Sequence, residues 1–427
     1  MKYLIIGAGP AGIAAGVALK QAKIPFEIVD AGDSFGGIWD IGRQETPMYQ
    51  SAHFISSKTL SGFQDFPMPD HYPDYPNHSL VLSYIQSYAE RHHLSGNARF
   101  CTKVLKVVKT ESLWEVTFEN YKTKTYSGVI CVTGITWELN YPEVEGKFAG
   151  EFIHSFDYKE DELFKGKKVL VIGAGNSGCD IACDAARTAE KAFISMRRGY
   201  YFIPKYTLGI PSDLYKERFG IPIKALDRGI SQLLLNKVFV GNLKNYGLQK
   251  PDHKLMESHP IMNSRLLHYL GHGDIKAKPN VVCAYGNQVT FQDGTTEEVD
   301  LIVAATGYKR TFPFLDDTLL DIEKGKEPSP YLQIFSRKFD TLFFMGGIEV
   351  SAAVFALFNQ QAKLIAAFIG AKNEKRDTYK RFVREKVEKK VNLRGNNTYI
   401  DTQRHQRYVD KKQYQKILKQ QLKTFTR

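Results

Sequence analysis

The sequence predicts an α/β protein of two Rossmann-like, dinucleotide-binding domains, one inserted in the other. Three observations carry this. A glycine-rich loop, Gly7-Ala8-Gly9-Pro10-Ala11-Gly12, follows the apolar run 3–6. A second, Gly173-Ala174-Gly175-Asn176-Ser177-Gly178, follows the run 169–172. Each opens a helix of small residues, the context that separates a GxGxxG fingerprint from chance. Strand-like runs then recur at 299–305 and around 343–347, so both ends of the chain complete the first domain. The expected boundaries are 1–154 with 311–427 for one domain and 155–310 for the other.

Glycines in such loops allow a tight turn, close approach of backbone to a pyrophosphate and close helix–strand packing, with the anion at the helix N-terminus. Two loops imply two dinucleotides, which electron transfer between cofactors requires. The residue ending the second strand of each unit tells them apart. In the first unit it is Asp30, 23 positions beyond Gly7. A carboxylate there accepts both ribose hydroxyls of an adenosine, and an N-terminal loop of this kind favours FAD. In the second unit it is Ser195, followed by Arg197 and Arg198. An acid would repel a 2′-phosphate, whereas a hydroxyl plus a guanidinium can bind it, so NADPH is favoured over NADH. The bland alternative is a solvated arginine pair at a strand end.

Residues 1–40 read as a βαβ unit closing on Gly36-Gly37-Ile38-Trp39. Prolines between 41 and 80 enforce extended or turn geometry, so this segment is expected to be an ordered wrapping loop without helix or ladder. The pattern of 80–93 is helical, and 104–108 and 114–118 alternate as strands. The run 129–132 leads into Thr133-Gly134. The second βαβ unit occupies about 166–200. Residues 201–275 mix helix and loop and should cover the nicotinamide side. Strands return at 281–291 and 299–305, closing on Thr306-Gly307-Tyr308. The apolar stretch 350–369 carries Asn359, Gln360, Gln361 and Lys363 and reads as a buried or cofactor-facing helix, not a membrane span.

The 427 residues carry a formal charge of +12. Residues 371–427 hold 18 Lys/Arg and 6 Asp/Glu, and the rest of the chain is balanced, so the whole excess sits in the tail. Such a tail can touch an anionic surface. It lacks the interleaved aromatics of a nucleic-acid reader, and solvated helical faces are the commoner outcome. Five cysteines form no CxxC pair and no zinc spacing, so no metal is expected. The first strand begins at once, leaving no room for a signal peptide, and a reduced cytoplasm is the expected home. Oligomeric state is open, a homodimer being one option.

Several motifs coincide in order, and together they resemble the class B flavin-containing monooxygenases over nearly the whole chain. The most specific is the segment from Phe148 through Gly150 and His154 to Tyr158, which fits the FxGxxxHxxxY signature just ahead of the second glycine loop. A Trp in place of Tyr158 would have pointed to the related Baeyer–Villiger enzymes. Gly36-Gly37-Ile38-Trp39, Asp65-Phe66-Pro67-Met68-Pro69, Gly175-Asn176-Ser177-Gly178 and Ala305-Thr306-Gly307-Tyr308 also look like family motifs. The resemblance adds Gly37, Ile38, Trp39, Val104, Thr133, Gly134, Thr306 and Gly307 to the cofactor-binding candidates, and places His154 and Tyr158 at the domain junction without acid–base roles.

The resemblance implies that NADPH reduces FAD, that the reduced flavin adds dioxygen at C4a, and that the resulting hydroperoxide passes one oxygen to a small nitrogen or sulfur compound. One departure matters. Family members often carry an Asn three positions ahead of the residue matching Lys58, where its amide helps hold NADP⁺ and the peroxyflavin. Here that position is Ile55. Either Ser56 or Ser57 substitutes, or the intermediate collapses to hydrogen peroxide. The alternatives left open are Baeyer–Villiger oxidation of ketones, an uncoupled NADPH oxidase and a non-catalytic FAD-binding sensor.

Overall fold

The computed structural model describes residues 1–43, 45–219, 224–322, 328–350, 353–400 and 402–426. The first βαβ unit is β1 (Tyr3–Ile6), α1 (Pro10–Gln21) and β2 (Phe26–Val29). A single turn α2 (Lys58–Ser61), then α3 (His78–Arg91) and β3 (Ala98–Arg99) follow. A meander of β4 (Val104–Lys109), β5 (Trp114–Phe118) and β6 (Thr123–Tyr126) leads into β7 (Gly128–Cys131). Next come β8 (Glu138–Leu139), β9 (Glu151–His154), β10 (Lys168–Ile172), α4 (Asn176–Thr188) and β11 (Lys191–Ser195).

A small hairpin, β12 (Tyr206–Thr207) with β13 (Ile210–Pro211), precedes α5 (Ser212–Phe219), α6 (Lys224–Leu234), α7 (Arg265–His272) and β14 (Ile275–Lys278). A second meander, β15 (Val281–Tyr285), β16 (Gln288–Phe291) and β17 (Thr296–Glu298), leads into β18 (Leu301–Ala304) and β19 (Tyr308–Lys309). The chain closes with β20 (Leu342–Phe344), α8 (Phe355–Asn373), α9 (Asp377–Glu388) and α10 (Lys411–Thr426).

Two five-stranded parallel sheets organise these elements, ordered β20-β7-β1-β2-β3 and β14-β11-β10-β18-β9. The glycine-loop strand is central in each, and a three-stranded meander lies between β3 and β7 of the first and between β14 and β18 of the second. Strands β1, β7 and β18, and β10 beyond Lys168, are continuous apolar runs because both faces are covered, and β1 and β7 are buried throughout. The small residues of α1 let it lie close to its sheet: a Cβ on Gly16 would come 2.9 Å from Ile28 Cδ1. Asn77 caps α3 by accepting the Leu80 amide at 3.1 Å.

Two expectations shift. Strand β9 pairs with β18 in the second sheet, with His154 opposite Ala304. The boundary placed at 154/155 therefore lies ahead of residue 151. Its sequence, Glu-Phe-Ile-His, has no apolar run to announce a strand. The proline-rich segment also contains the one-turn α2, where the stretch Lys58–Ser61 lies free of proline.

The basic tail folds back on the first unit. Tyr414, Ile417, Leu418 and Phe425 of α10 are buried with the apolar face of α8, and Gln361 Nε2 donates to the Tyr414 hydroxyl at 2.8 Å. Lys412, Lys416, Lys419 and Lys423 stay exposed along the other side of α10. Among the described residues no helix is long and apolar enough to cross a membrane, and no group of three or more His, Cys, Asp or Glu could hold a metal.

Candidate functional site

Both glycine loops are built alike. Gly7 and Gly173 have φ of +119° and +110°, where a side chain is strained. A Cβ on either would also lie 2.5 Å from the carbonyl oxygen of Val132 or Ala305 on the neighbouring strand. The third glycines give the helix its closeness to the loop: a Cβ on Gly12 or Gly178 would lie 1.9 or 2.1 Å from the Gly7 or Gly173 oxygen. The middle glycine of the second loop, Gly175, has nothing within 4 Å of its Cβ position. That open space at a helix N-terminus is where a pyrophosphate would approach. The amides of Ile13 and Cys179 bond the oxygens of Gly9 and Gly175 at 3.0 Å, so the preceding first-turn amides are left for an anion. Pro10, Ala11, Asn176 and Ser177 belong to those first turns.

In the first unit, Gly9 and Gly37 lie back to back, and a Cβ on Gly37 (φ +60°) would come 2.9 Å from Gly9 Cα. Ile38 offers its carbonyl to Thr46 Oγ1 at 2.9 Å, and Trp39 packs edge-on against Phe54 with ring centroids 4.7 Å apart. Asp30 is buried at the end of β2, where its two oxygens accept the Ala8 amide at 2.6 Å and the Gly32 amide at 2.7 Å. The carboxylate therefore shapes the loop. Val104 is buried beside Leu4, Ile6 and Val29. Thr133 holds a buried hydroxyl with no hydrogen-bond partner among the described residues, next to Gly134 with φ +78°. An orphaned hydroxyl beside a glycine cradle fits a polar ligand such as a flavin nucleotide.

Sequence reading missed Gly346 and Gly347 after β20. Gly346 has φ +73° and a Cβ there would come 3.0 Å from Ala11 Cβ, and Gly347 lies against the Arg310 guanidinium. This second glycine pair closes over the start of α1. The strand-then-Gly-Gly pattern was visible, and its place over α1 was not.

In the second unit the expected role of Ser195 is corrected. Its side chain is buried, with the residue 1% exposed, and Oγ donates to Pro279 O at 2.7 Å. A hydroxyl fastened to a carbonyl inside the sheet edge is not placed to meet a phosphate. Arg197 is exposed with no ion pair among the described residues, whereas Arg198 Nη2 lies 3.3 Å from Asp252 Oδ2. Of the residues expected at the 2′-phosphate, Arg197 is thus the one whose charged group is left exposed and unpaired among the described residues.

The two units are tied together by polar groups at their junction. Asn140 receives Thr306 Oγ1 on its carbonyl and gives its side-chain amide to Thr306 O and its backbone amide to Gly307 O, both at 3.1 Å. His154 is fully buried: Nδ1 accepts the Phe156 amide at 3.1 Å, so Nε2 carries the proton and donates to Gly307 O at 3.2 Å. Burial pushes its pKa down, and the residue is a neutral tie. Tyr158 donates to Asp184 Oδ2 at 2.9 Å. The same oxygen receives the Ser51 hydroxyl, and Arg187 pairs with Oδ1 at 2.9 Å. One turn earlier on α4, Asp180 accepts Tyr49 at 3.1 Å and Asn263 at 2.7 Å. Thus the loop carrying Tyr49 and Ser51 grips α4, the helix that would hold the NADPH pyrophosphate.

Asp180 has its pKa raised to about 6, chiefly by burial, with Asp184 adding to the rise and Lys205, Tyr49 and Asn263 opposing it. Unfolded, the group titrates at about 3.9. Between those values the folded chain holds a proton that the unfolded chain has lost, so ionisation destabilises the fold as pH climbs from roughly 4 to 6, and the loss is constant above. Melting curves of the wild type and Asp180→Asn across that window are expected to converge at the acid end, with the wild type alone losing this increment toward neutrality. Parallel curves would exclude Asp180 as the source.

The serines offered as substitutes for an asparagine at Ile55 are also corrected. Ser57 is 0% exposed, and its amide and hydroxyl both donate to Asp213 Oδ2, at 2.7 and 2.9 Å. Ser56 Oγ pairs with Ser61 Oγ at 2.8 Å, and Ser61 donates onward to Ser57 O. Both hydroxyls serve the start of α2 and its contact with α5. Ile55 is half-buried, directly after Phe54, which touches Trp39.

Residues 1–424 match the family described as flavin-binding monooxygenase-like. Flavin-containing monooxygenase 5 of Oryctolagus cuniculus is 31% identical over 432 residues, covering 95% of this chain and 79% of the relative. Among solved structures, the S-allyl-L-cysteine S-oxygenase of Allium sativum superposes with a TM-score of 0.67 at 20% identity, covering 99% of this chain and 88% of that one. Cyclohexanone monooxygenase from Rhodococcus sp. Phi1, bound to NADP⁺, does so with a TM-score of 0.66 at 18% identity, over 87% and 84%. The two glycine cradles, the signature ending at Tyr158 and this whole-length similarity place the chain in the flavin-containing monooxygenase family, as an oxidoreductase that uses FAD and NADPH.

Proposed function

We propose that this enzyme inserts one oxygen atom from O2 into small nitrogen- or sulfur-containing compounds. The carrying observation is the presence in one chain of two equivalent glycine cradles, gripped to each other by Tyr49 on Asp180 and Ser51 on Asp184, with Tyr158 bracing Asp184 from within the second unit. The sulfur chemistry named for the Allium sativum relative agrees with the reading. When bound, FAD reduced by NADPH supplies the oxygen activation, and the protein positions it and excludes side reactions.

This chain's residues do the holding. The first turn of α1, with Asp30, Gly37 and Thr133, would orient the flavin nucleotide. The first turn of α4, with Arg197 and Arg198, would orient NADPH. His154, neutral and with both ring nitrogens bonded, keeps the crossing strands in place without moving a proton.

A second reading, a poorly coupled enzyme releasing hydrogen peroxide, is favoured by Ile55 and by the engaged hydroxyls of Ser56 and Ser57. An aliphatic side chain cannot donate a hydrogen bond to an oxygen species. The test counts NADPH oxidised, sulfoxide formed from a simple thioether and peroxide released, with a cyclic ketone in parallel. Sulfoxide with a measurable peroxide fraction is expected. Lactone without sulfoxide would overturn the assignment, and product stoichiometric with NADPH would overturn the uncoupling. Ile55→Asn is expected to lower the peroxide fraction several-fold.

A further inference from the structure

Arg43 has no part in the functions assigned so far, yet it sits at the adenosine end of the first cradle. Its Nη1 lies 2.9 Å from Asp30 Oδ1, with the two side chains only 10% and 8% exposed. The guanidinium fills the space beside Gly32, where a Cβ would meet its Cζ at 2.6 Å. It also lies over the Trp137 ring, 5.6 Å from the centroid, and Trp137 Nε1 in turn donates to Thr133 O. The turn that presents it is fixed by Asp40, which accepts the Gly42 amide at 3.0 Å and the Ser34 hydroxyl at 3.0 Å. Three separate segments thus converge on this ion pair: the end of β2 and the turn at 40–43 supply its two members, and the stretch after β7 lays Trp137 against the guanidinium.

A carboxylate meant only to receive a ribose diol has no need of a buried cation. Asp30 already accepts two backbone amides, and Arg43 neutralises it beside a helix terminus that favours phosphate. Guanidinium carries five donors in a planar fork. One is committed to Asp30, and its other side-chain donors make no hydrogen bond among the described residues.

We propose that Arg43 closes over the adenosine ribose and diphosphate of FAD, backed by Trp137, and makes the first cradle select FAD over FMN. The proposal rests on FAD occupying that cradle. The test uses the holoenzyme: the rate of FAD release on dilution, followed by flavin fluorescence, and the displacement of FAD by ADP and by FMN. In Arg43→Ala and Arg43→Gln, FAD release is expected to quicken about 10- to 100-fold. The potency of ADP should fall by a similar factor while that of FMN stays within about twofold. Arg43→Lys should recover part of the ADP response.

Equal weakening for ADP and FMN would reduce Arg43 to a loop pin and overturn the proposal, as would unchanged FAD release. The Gln variant keeps the side chain's bulk should the Ala variant fold poorly. Wild-type protein that carries no FAD would instead overturn the reading of the cradle itself.

Discussion

Gly175→Ala is expected to give a yellow, normally folded protein whose flavin NADPH no longer bleaches. Nothing lies within 4 Å of the Cβ position, so the methyl meets no protein atom and the melting temperature should hold. The same methyl enters the space through which a pyrophosphate reaches the free amides of α4. Losing two charge-assisted hydrogen bonds at the lower end of their range, about 1.5 kcal/mol each, raises the NADPH dissociation constant about 100-fold. Gly178→Ala is the contrasting variant. Its Cβ would lie 2.1 Å from the Gly173 oxygen, so helix and loop must separate, and stability should fall together with NADPH binding. Stopped-flow reduction and melting curves on both variants separate a ligand cradle from a packing contact. Normal NADPH reduction in Gly175→Ala would show that the second nucleotide binds elsewhere.

Arg197→Ala is expected to remove the preference for NADPH over NADH. The side chain is exposed just beyond β11 and has no ion pair among the described residues, while Arg198 is already near Asp252. A guanidinium–phosphate contact is worth roughly 1.5–3 kcal/mol, so the NADPH KM should rise about 10- to 150-fold with NADH little changed. Arg198→Ala should have the smaller effect, since Asp252 competes for that guanidinium. Equal losses for both coenzymes in Arg197→Ala would remove it from the 2′-phosphate.

The features legible in the sequence are those whose physics is local. The GxGxxG spacing, the apolar run before it and the small residues after it lie within a few positions of one another, so Gly7, Gly12, Gly173 and Gly178 announce both cradles. Asp30 is likewise fixed by its place at the end of a short strand. What escaped depends on partners far along the chain. Ser195 looked available because its acceptor, Pro279 O, lies 84 residues away. Ser57 looked available because Asp213 arrives from α5, 156 residues on. The grip of Ser51 on Asp184 spans 133 residues, and neither residue stands out in its own neighbourhood. Strand β9 was misassigned for the same reason: a short mixed run becomes a strand only once β18 lies beside it.

Strands β8 and β19 pair antiparallel, Leu139 opposite Tyr308 and Glu138 opposite Lys309. The polypeptide therefore leaves for the second sheet and comes home at almost the same spot. A cassette whose entry and exit are neighbours can be cut out, bridged by a few residues, or replaced by its counterpart from a cousin enzyme without stretching the host. Swapping coenzyme preference by exchanging the whole insert is thus a realistic engineering route, provided that the Tyr49 and Ser51 contacts travel with their acceptors.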